Sequence, residues 1–130
     1  MRDLLRTADV LIENFGPGSM DKIGLGWDAV HAINPKLIYC AMKGFLPGPY
    51  EHRPALDEIV QFMTGLAYMT GPPGQPLRAG SSVVDIMGGV MGVGGILAAL
   101  RQRDRDGEGR KITSSLYESC AFLVAQHMAG

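Results

Sequence analysis

The feature that most constrains this sequence is residues 86–100, an uncharged and glycine-rich segment that directly follows Asp85. Residues 82–84 are typical of the end of an apolar strand, and the pattern after Asp85 predicts a helix that ends near Leu100. Asp85 would then lie at a helix N-terminus, where free backbone N–H groups and the helix dipole favour a negative charge. Two interpretations remain open at this point: Asp85 is a helix N-cap, or it is a nucleophilic carboxylate held ionised at the mouth of a site.

The glycines of this segment recur at a helical spacing. Gly88, Gly92 and Gly95 fall on one face of the predicted helix, and each costs about 1 kcal/mol relative to alanine in a helix interior. We expect the close approach of another backbone, or of a bulky ligand, to offset that cost. Small residues at this spacing also occur in packed transmembrane helices. The uncharged run is shorter than the roughly 20 residues that a span needs, so no membrane association is expected.

Composition and charge restrict the class of protein. The 130 residues include 12 basic and 13 acidic side chains, for a formal net charge of -1. The basic residues are dispersed, apart from a cluster over residues 101–111 in which they alternate with acidic residues, so nothing indicates a nucleic-acid partner. Cys40 and Cys120 lie in apolar segments without a histidine at metal-ligand spacing. We therefore expect reduced thiols, no metal site and a cytoplasmic location.

The first third of the chain predicts a parallel β-α-β unit. Residues 9–13 and 37–42 are typical of buried strands, and residues 27–34 form an amphipathic helix pattern that ends before Pro35. Between them, residues 14–18 predict a turn, and Ser19 is expected to cap a short helix over residues 20–23. Strand, helix and strand joined by short links indicate an α/β fold with a parallel sheet and flanking helices.

The rest of the chain continues this alternation. Residues 55–68 predict a helix interrupted near Gly65, residues 111–115 predict a strand, and the pattern from Leu116 onward is helical again. The first residues are typical of the last turns of a helix without a cap, and the final helical pattern stops abruptly. We therefore expect residues 1–130 to form a single incomplete domain, a piece of a longer protein.

Five segments follow one another along the chain: ADVLIENFGPGSMDKIGLGW, PKLIYCAMKGF, GPYEHRPALDEIVQFMTG, GPPGQPLRAGSSVVDIMGG and GILAALRQRDRDGEGRKITSSLYES. Their succession resembles the family III CoA-transferases, which include formyl-CoA transferase, carnitine CoA-transferases and α-methylacyl-CoA racemase. It implies that the chain is part of the large domain, which has a Rossmann-like parallel sheet. It also implies a homodimer of interlocked subunits.

The same resemblance implies roles for individual residues. Asp85 matches the catalytic aspartate, which becomes acylated in the transferases. Asn14 and Phe15 match positions that line the coenzyme A site, and Lys22 and Lys43 match positions that present basic groups to the phosphates of coenzyme A.

Two positions depart from parts of the family. Gly16 matches formyl-CoA transferase, whereas other members have arginine there. Leu56 occupies the position at which the racemase branch has a proton-transferring histidine and formyl-CoA transferase has a tyrosine. Because leucine cannot transfer a proton, this position argues against racemisation.

The function implied by the resemblance is the transfer of coenzyme A from an acyl-CoA donor to a carboxylic acid, through an acyl-aspartyl anhydride and an aspartyl-CoA thioester. Two alternatives remain: an acyl-CoA racemase or epimerase, and a non-catalytic CoA-binding or dimerisation fragment. We expect little activity from residues 1–130 alone.

Overall fold

The computed structural model describes residues 1–128, which form an α/β fold around a three-stranded parallel sheet. The strands are β1 (Val10–Glu13), β2 (Ile38–Lys43) and β3 (Lys111–Ser115). The helices are α1 (Arg2–Leu5), α2 (Ser19–Lys22), α3 (Trp27–Ile33), α4 (Asp57–Met63), α5 (Leu66–Thr70), α6 (Val83–Asp106) and α7 (Leu116–Met128). The predicted fold class and the parallel β-α-β unit are confirmed.

The order of the strands in the sheet is β1-β2-β3. In the register, Glu13 lies opposite Ala41, and Lys43 lies opposite Ser115. All strands run in the same direction, so their carboxyl ends meet at one edge of the sheet. In open α/β sheets, this edge is where ligands bind.

Two hydrophobic clusters pack the helices against the sheet and against one another. The first cluster joins α1 and α3 to β2, and its buried members include Leu5, Val30 and Tyr39. The second joins α4, α6 and α7 through Val60, Val84 and Cys120, which are all fully buried. The second cluster therefore fixes the first turn of α6 against two neighbouring helices.

The glycine face of α6 packs against the sheet. A Cβ atom at Gly92 would lie 3.0 Å from Met42 Sδ, and one at Gly95 would lie 3.2 Å from Ile112 Cδ1. The Ser114 hydroxyl also donates a hydrogen bond of 2.7 Å to the carbonyl of Gly88. The close approach predicted from the spacing is thus made by side chains of β2 and β3, not by another backbone or by a ligand.

Two local predictions were wrong. Residues 82–84 do not form a strand, because α6 already begins at Val83. The N-cap of α2 is Gly18, with φ 72, and Ser19 is the first residue of the helix. The interruption predicted near Gly65 is confirmed, because the helix predicted over residues 55–68 is divided there into α4 and α5, and Gly65 has a left-handed backbone with φ 86.

α6 also extends beyond its expected end near Leu100 and has 24 residues. It is the one helix among residues 1–128 that is long and apolar enough to cross a membrane by length and composition alone. One face packs on β2 and β3, while the opposite face exposes Ile86, Val90 and Leu97. The sheet thus covers the glycine face of α6, whereas most of the rest of the helix is exposed within residues 1–128.

Candidate active site

A cavity of about 690 Å³ lies at the carboxyl ends of the strands, beside the start of α6. Four of the five residues predicted for the site line this cavity: Asn14, Phe15, Lys43 and Asp85. Lys22, the fifth, is exposed in α2 and does not line it. Segments that are far apart in the sequence thus line one cavity, to which Asp85 contributes an exposed carboxylate.

Asp85 lies in the first turn of α6 and is not its N-cap. The N-cap is Ser82, whose side chain makes no capping hydrogen bond. The pKa of Asp85 is raised above its usual value, first by partial burial and then by the nearby carboxylates of Asp57 and Glu58, while Arg78 opposes the shift. A helix N-terminus alone would favour the ionised form of Asp85. Here partial burial and two neighbouring carboxylates oppose ionisation.

Asp57 supplies the capping group of α6. Its Oδ2 atom accepts the backbone N–H of Val84 at 2.8 Å and that of Asp85 at 3.1 Å. Asp57 is only 4% exposed, and its other oxygen accepts a hydrogen bond from Gln61 Nε2. Sequence reasoning missed this role. The available signal was the Asp57 to Gln61 spacing of four residues, which is typical of a helical side-chain pair.

The predicted phosphate-binding residue Lys43 is already paired. Its Nζ atom lies 2.6 Å from Glu13 Oε1 and donates hydrogen bonds to Glu13 Oε2 at 2.8 Å and to the Phe15 carbonyl at 2.7 Å. Glu13 in turn accepts the backbone N–H of Phe15 at 3.0 Å. Lys43 and Glu13 therefore hold the turn after β1, which carries the exposed residues Asn14 and Phe15.

The opposite wall is organised by Glu118 at the start of α7. Its carboxylate accepts a hydrogen bond from the Ser115 hydroxyl and lies 3.3 Å from the backbone N–H of Leu46. Ser115 and Glu118 have the spacing of a capping box, in which both side chains satisfy groups at a helix start. This contact ties the loop after β2 to the junction between β3 and α7.

Comparison with known proteins decides the family. The model of CoA-transferase family III matches residues 1–130. The chain belongs to CoA-transferase family III.

Curated relatives in this family are CoA-transferases. A formyl-CoA:oxalate CoA-transferase from Streptomyces avermitilis is 40% identical over 124 residues, which cover 95% of this chain and 30% of that protein. A succinate–glutarate CoA-transferase from Agrobacterium fabrum is 45% identical, over 98% of this chain and 33% of that protein. The chain thus spans about a third of the length of these relatives.

Solved structures with similar sequences share the fold. A CAIB/BAIF family protein from Brucella suis superposes with a TM-score of 0.93 and 39% identity, over 98% of this chain and 34% of that protein. A protein from Mycobacterium tuberculosis superposes with a TM-score of 0.91 and 34% identity. The α/β arrangement around the parallel sheet is therefore that of the corresponding part of these proteins.

In this CoA-transferase family III chain, Leu56 lines the same cavity as Asp85. It precedes α4 directly and is 59% exposed. An aliphatic side chain thus lines the cavity of the candidate nucleophile at the position where the resemblance places a proton-transferring histidine in racemases.

No group of three potential metal ligands from histidine, cysteine, aspartate or glutamate occurs within residues 1–128.

Proposed function

We propose that the whole protein transfers coenzyme A from an acyl-CoA donor to a carboxylic acid acceptor, with Asp85 as the nucleophile. The observation that carries the proposal is the placement of Asp85 in one cavity with Asn14 and Phe15, at the carboxyl ends of parallel strands. Membership of CoA-transferase family III supports the reaction class.

The reaction proceeds through exchange of acyl groups at the Asp85 carboxylate. A carboxylate oxygen attacks the thioester carbonyl, the C–S bond breaks, and an acyl-aspartyl anhydride and a CoA thiolate form. The thiolate attacks the aspartyl carbonyl carbon and releases the donor acid, which leaves an aspartyl-CoA thioester. The acceptor carboxylate then attacks the aspartyl-CoA thioester, which releases the CoA thiolate and forms a second anhydride. The thiolate attacks the acceptor's carbonyl carbon in this anhydride, so the acceptor leaves as its CoA thioester and the Asp85 carboxylate is regenerated. No net proton transfer is required.

Coenzyme A is proposed to lie along the turn after β1. The exposed Phe15 ring offers an apolar surface, and the Asn14 amide offers both donors and an acceptor. Lys22 lies outside the cavity, where it would serve a phosphate of a long ligand that extends beyond it. Lys43 would add less attraction than a free lysine, because Glu13 compensates its charge.

Residues 1–130 are proposed to be part of the large domain of a cytoplasmic enzyme that forms an interlocked homodimer. The exposed apolar face of α6 supports contact with further protein surface, from the same subunit or a second copy. It presents Ile86, Val90, Val93 and Leu97, each more than half exposed. Exposed apolar surfaces of this kind mark sites of association.

The proposed function is tested with the Asp85→Asn variant of the full-length protein. We expect turnover to be lost, because an amide is a poor nucleophile, while folding and CoA affinity are retained. Asp104→Asn is the matched control, since it makes the same substitution near the other end of α6, at an exposed residue. Turnover that persists in Asp85→Asn would exclude the nucleophilic role.

A further inference from the structure

A buried carboxylate in α4 holds the first turn of α6. Asp57 and Asp85 are 28 residues apart in the sequence, yet Asp57 Oδ2 accepts the backbone N–H groups of both Val84 and Asp85. A carboxylate that accepts hydrogen bonds from helix N-terminal N–H groups makes strong, charge-assisted contacts. The backbone of the candidate nucleophile is therefore anchored by a side chain from a different helix.

Asp57 is itself held on two further sides. Gln61 Nε2 donates to Asp57 Oδ1, and Arg78 Nη2 lies 3.7 Å from the same oxygen. Gln61 is fully buried, and its Oε1 atom accepts the backbone N–H of Ala79 at 2.8 Å. Both carboxylate oxygens thus have partners, so the acceptor for the first turn of α6 is fixed in direction.

We propose that Asp57 is a positioning residue for the acylation of Asp85. Its carboxylate sets the orientation of the first turn of α6, from which the Asp85 side chain meets the thioester carbonyl. The inference rests on the proposed nucleophilic role of Asp85. Reacting atoms must approach to about 3–3.5 Å, and a displacement of about 1 Å can slow a reaction about 100-fold.

Asp57 also acts on the charge of Asp85. It raises the pKa of Asp85 together with Glu58, whereas Arg78 lowers it. Lys43 and Arg53 are the further charged residues that line the cavity within the described chain. Since only the carboxylate form of Asp85 attacks, the rate of acylation rises with pH through the pKa of Asp85 and then reaches a plateau.

The test is the rate of single-turnover acylation of Asp85 by an acyl-CoA, measured against pH in the full-length protein. For Asp57→Asn we expect the plateau rate to fall roughly 10- to 100-fold, because the first turn of α6 loses its charged acceptor. The acid limb should move to lower pH, because removal of a negative charge lowers the pKa of Asp85. The shift of this limb reports the charge of Asp57, whereas the fall in the plateau rate reports its role in positioning.

Glu58→Gln is the charge-matched comparison. It removes a neighbouring negative charge that raises the pKa of Asp85, while the hydrogen bonds from the Val84 and Asp85 N–H groups to Asp57 are kept. We expect its acid limb to move in the same direction, with a plateau rate at least several-fold above that of Asp57→Asn. Equal plateau rates in the two variants would overturn the positioning role, because loss of charge alone would then explain the effect.

Hydrogen–deuterium exchange at residues 82–87 reports the anchoring directly. The amides of Val84 and Asp85 should exchange faster in Asp57→Asn than in the wild type. If that variant fails to fold, Asp57→Glu replaces it, since it keeps the charge. Whichever variant is used, faster exchange of the Val84 and Asp85 amides should come with a lower plateau rate of acylation. A plateau rate equal to that of the wild type, despite faster exchange, would overturn the proposal.

The outcomes separate the two proposals. Absence of any adduct on Asp85 in the wild-type protein contradicts the proposed function. An adduct that forms in the wild type and equally fast in Asp57→Asn leaves the proposed function intact and contradicts only the role of Asp57.

Discussion

The ammonium group of Lys43 lies 2.6 Å from a carboxylate oxygen of Glu13, across the carboxyl ends of β2 and β1. The Glu13 side chain is 3% exposed and that of Lys43 is 21% exposed. Both groups also contact the backbone of Phe15. This ion pair thus joins two strands and shapes the turn that is proposed to receive coenzyme A.

Removal of Lys43 should destabilise the protein, and the losses of Lys43 and Glu13 should not be additive. In Lys43→Met the Glu13 carboxylate stays buried without its partner, and we expect a loss of about 2–4 kcal/mol in the free energy of unfolding, near the lower end for buried pairs because Lys43 is partly exposed. The double variant Glu13→Gln/Lys43→Met should lose less than the sum of the two single losses. Chemical denaturation of the four proteins measures this coupling, and simple additivity would contradict it.

Tyr39 should titrate late and make stability fall at high pH. Burial, followed by the charges of Glu13 and Asp21, raises the pKa of Tyr39 to about 12 from the usual 10.0. The unfolded chain therefore loses this proton at lower pH than the folded chain, and the stabilising contribution is complete below pH 10 and declines as pH rises towards 12.

Tyr39→Phe tests this alkaline behaviour. The variant should lose the late step in the tyrosinate absorbance and should show a smaller fall in stability above pH 10. It also loses the hydrogen bond to the Leu25 carbonyl, for a cost of about 0.5–1.5 kcal/mol near neutral pH. A late absorbance step that persists in the variant would show that a different tyrosine is responsible.

A large side chain should destabilise the protein on the glycine face of α6, which packs on the sheet, but not at an exposed glycine of the same helix. Gly92→Leu places new atoms against Met42 and Ser114 and should destabilise the protein by about 1–3 kcal/mol through overpacking. Gly94→Leu is the matched control, because a Cβ atom there meets open space and helix propensity improves. Denaturation midpoints report both effects, and equal midpoints for the two variants would contradict the packing of α6 on the sheet.

Proton exchange at the acyl α-carbon should be absent. A racemase needs two groups that add and remove this proton. Leu56, which lines the same cavity as Asp85, cannot act as the second group. We expect an acyl-CoA incubated with the full-length protein in deuterium oxide to gain no deuterium at that carbon. Mass spectrometry of the recovered acyl-CoA measures this directly, and enzyme-dependent incorporation would favour racemisation or epimerisation.

Much of the fold follows from local sequence patterns. The bounds of β3 were predicted correctly at residues 111–115, and β1 and β2 were predicted to within one residue at each end. Turns and apolar patterns depend on residues that are close together in the sequence, so a single sequence is enough to predict them. The grouping of Asn14, Phe15, Lys43 and Asp85 came from the family resemblance, and the parallel strands explain why they line one cavity.

The contacts that define the site depend on distant residues. The start of α6 was misplaced because its capping carboxylate belongs to Asp57, 27 residues before Val84. The engagement of Lys43 was missed because Glu13 precedes it by 30 residues. No periodicity encodes such pairs, since they arise only when the strands and helices are packed together.

The most direct measurement of the central claim is mass spectrometry of the full-length protein after incubation with an acyl-CoA and hydroxylamine. Hydroxylamine cleaves an activated aspartyl ester, anhydride or thioester and leaves a hydroxamate on the residue that carried it. We predict a hydroxamate on the peptide that contains Asp85, present only when acyl-CoA is added and absent in Asp85→Asn. An unmodified Asp85 with several acyl-CoAs, in a protein that demonstrably binds coenzyme A, would contradict nucleophilic catalysis by this residue.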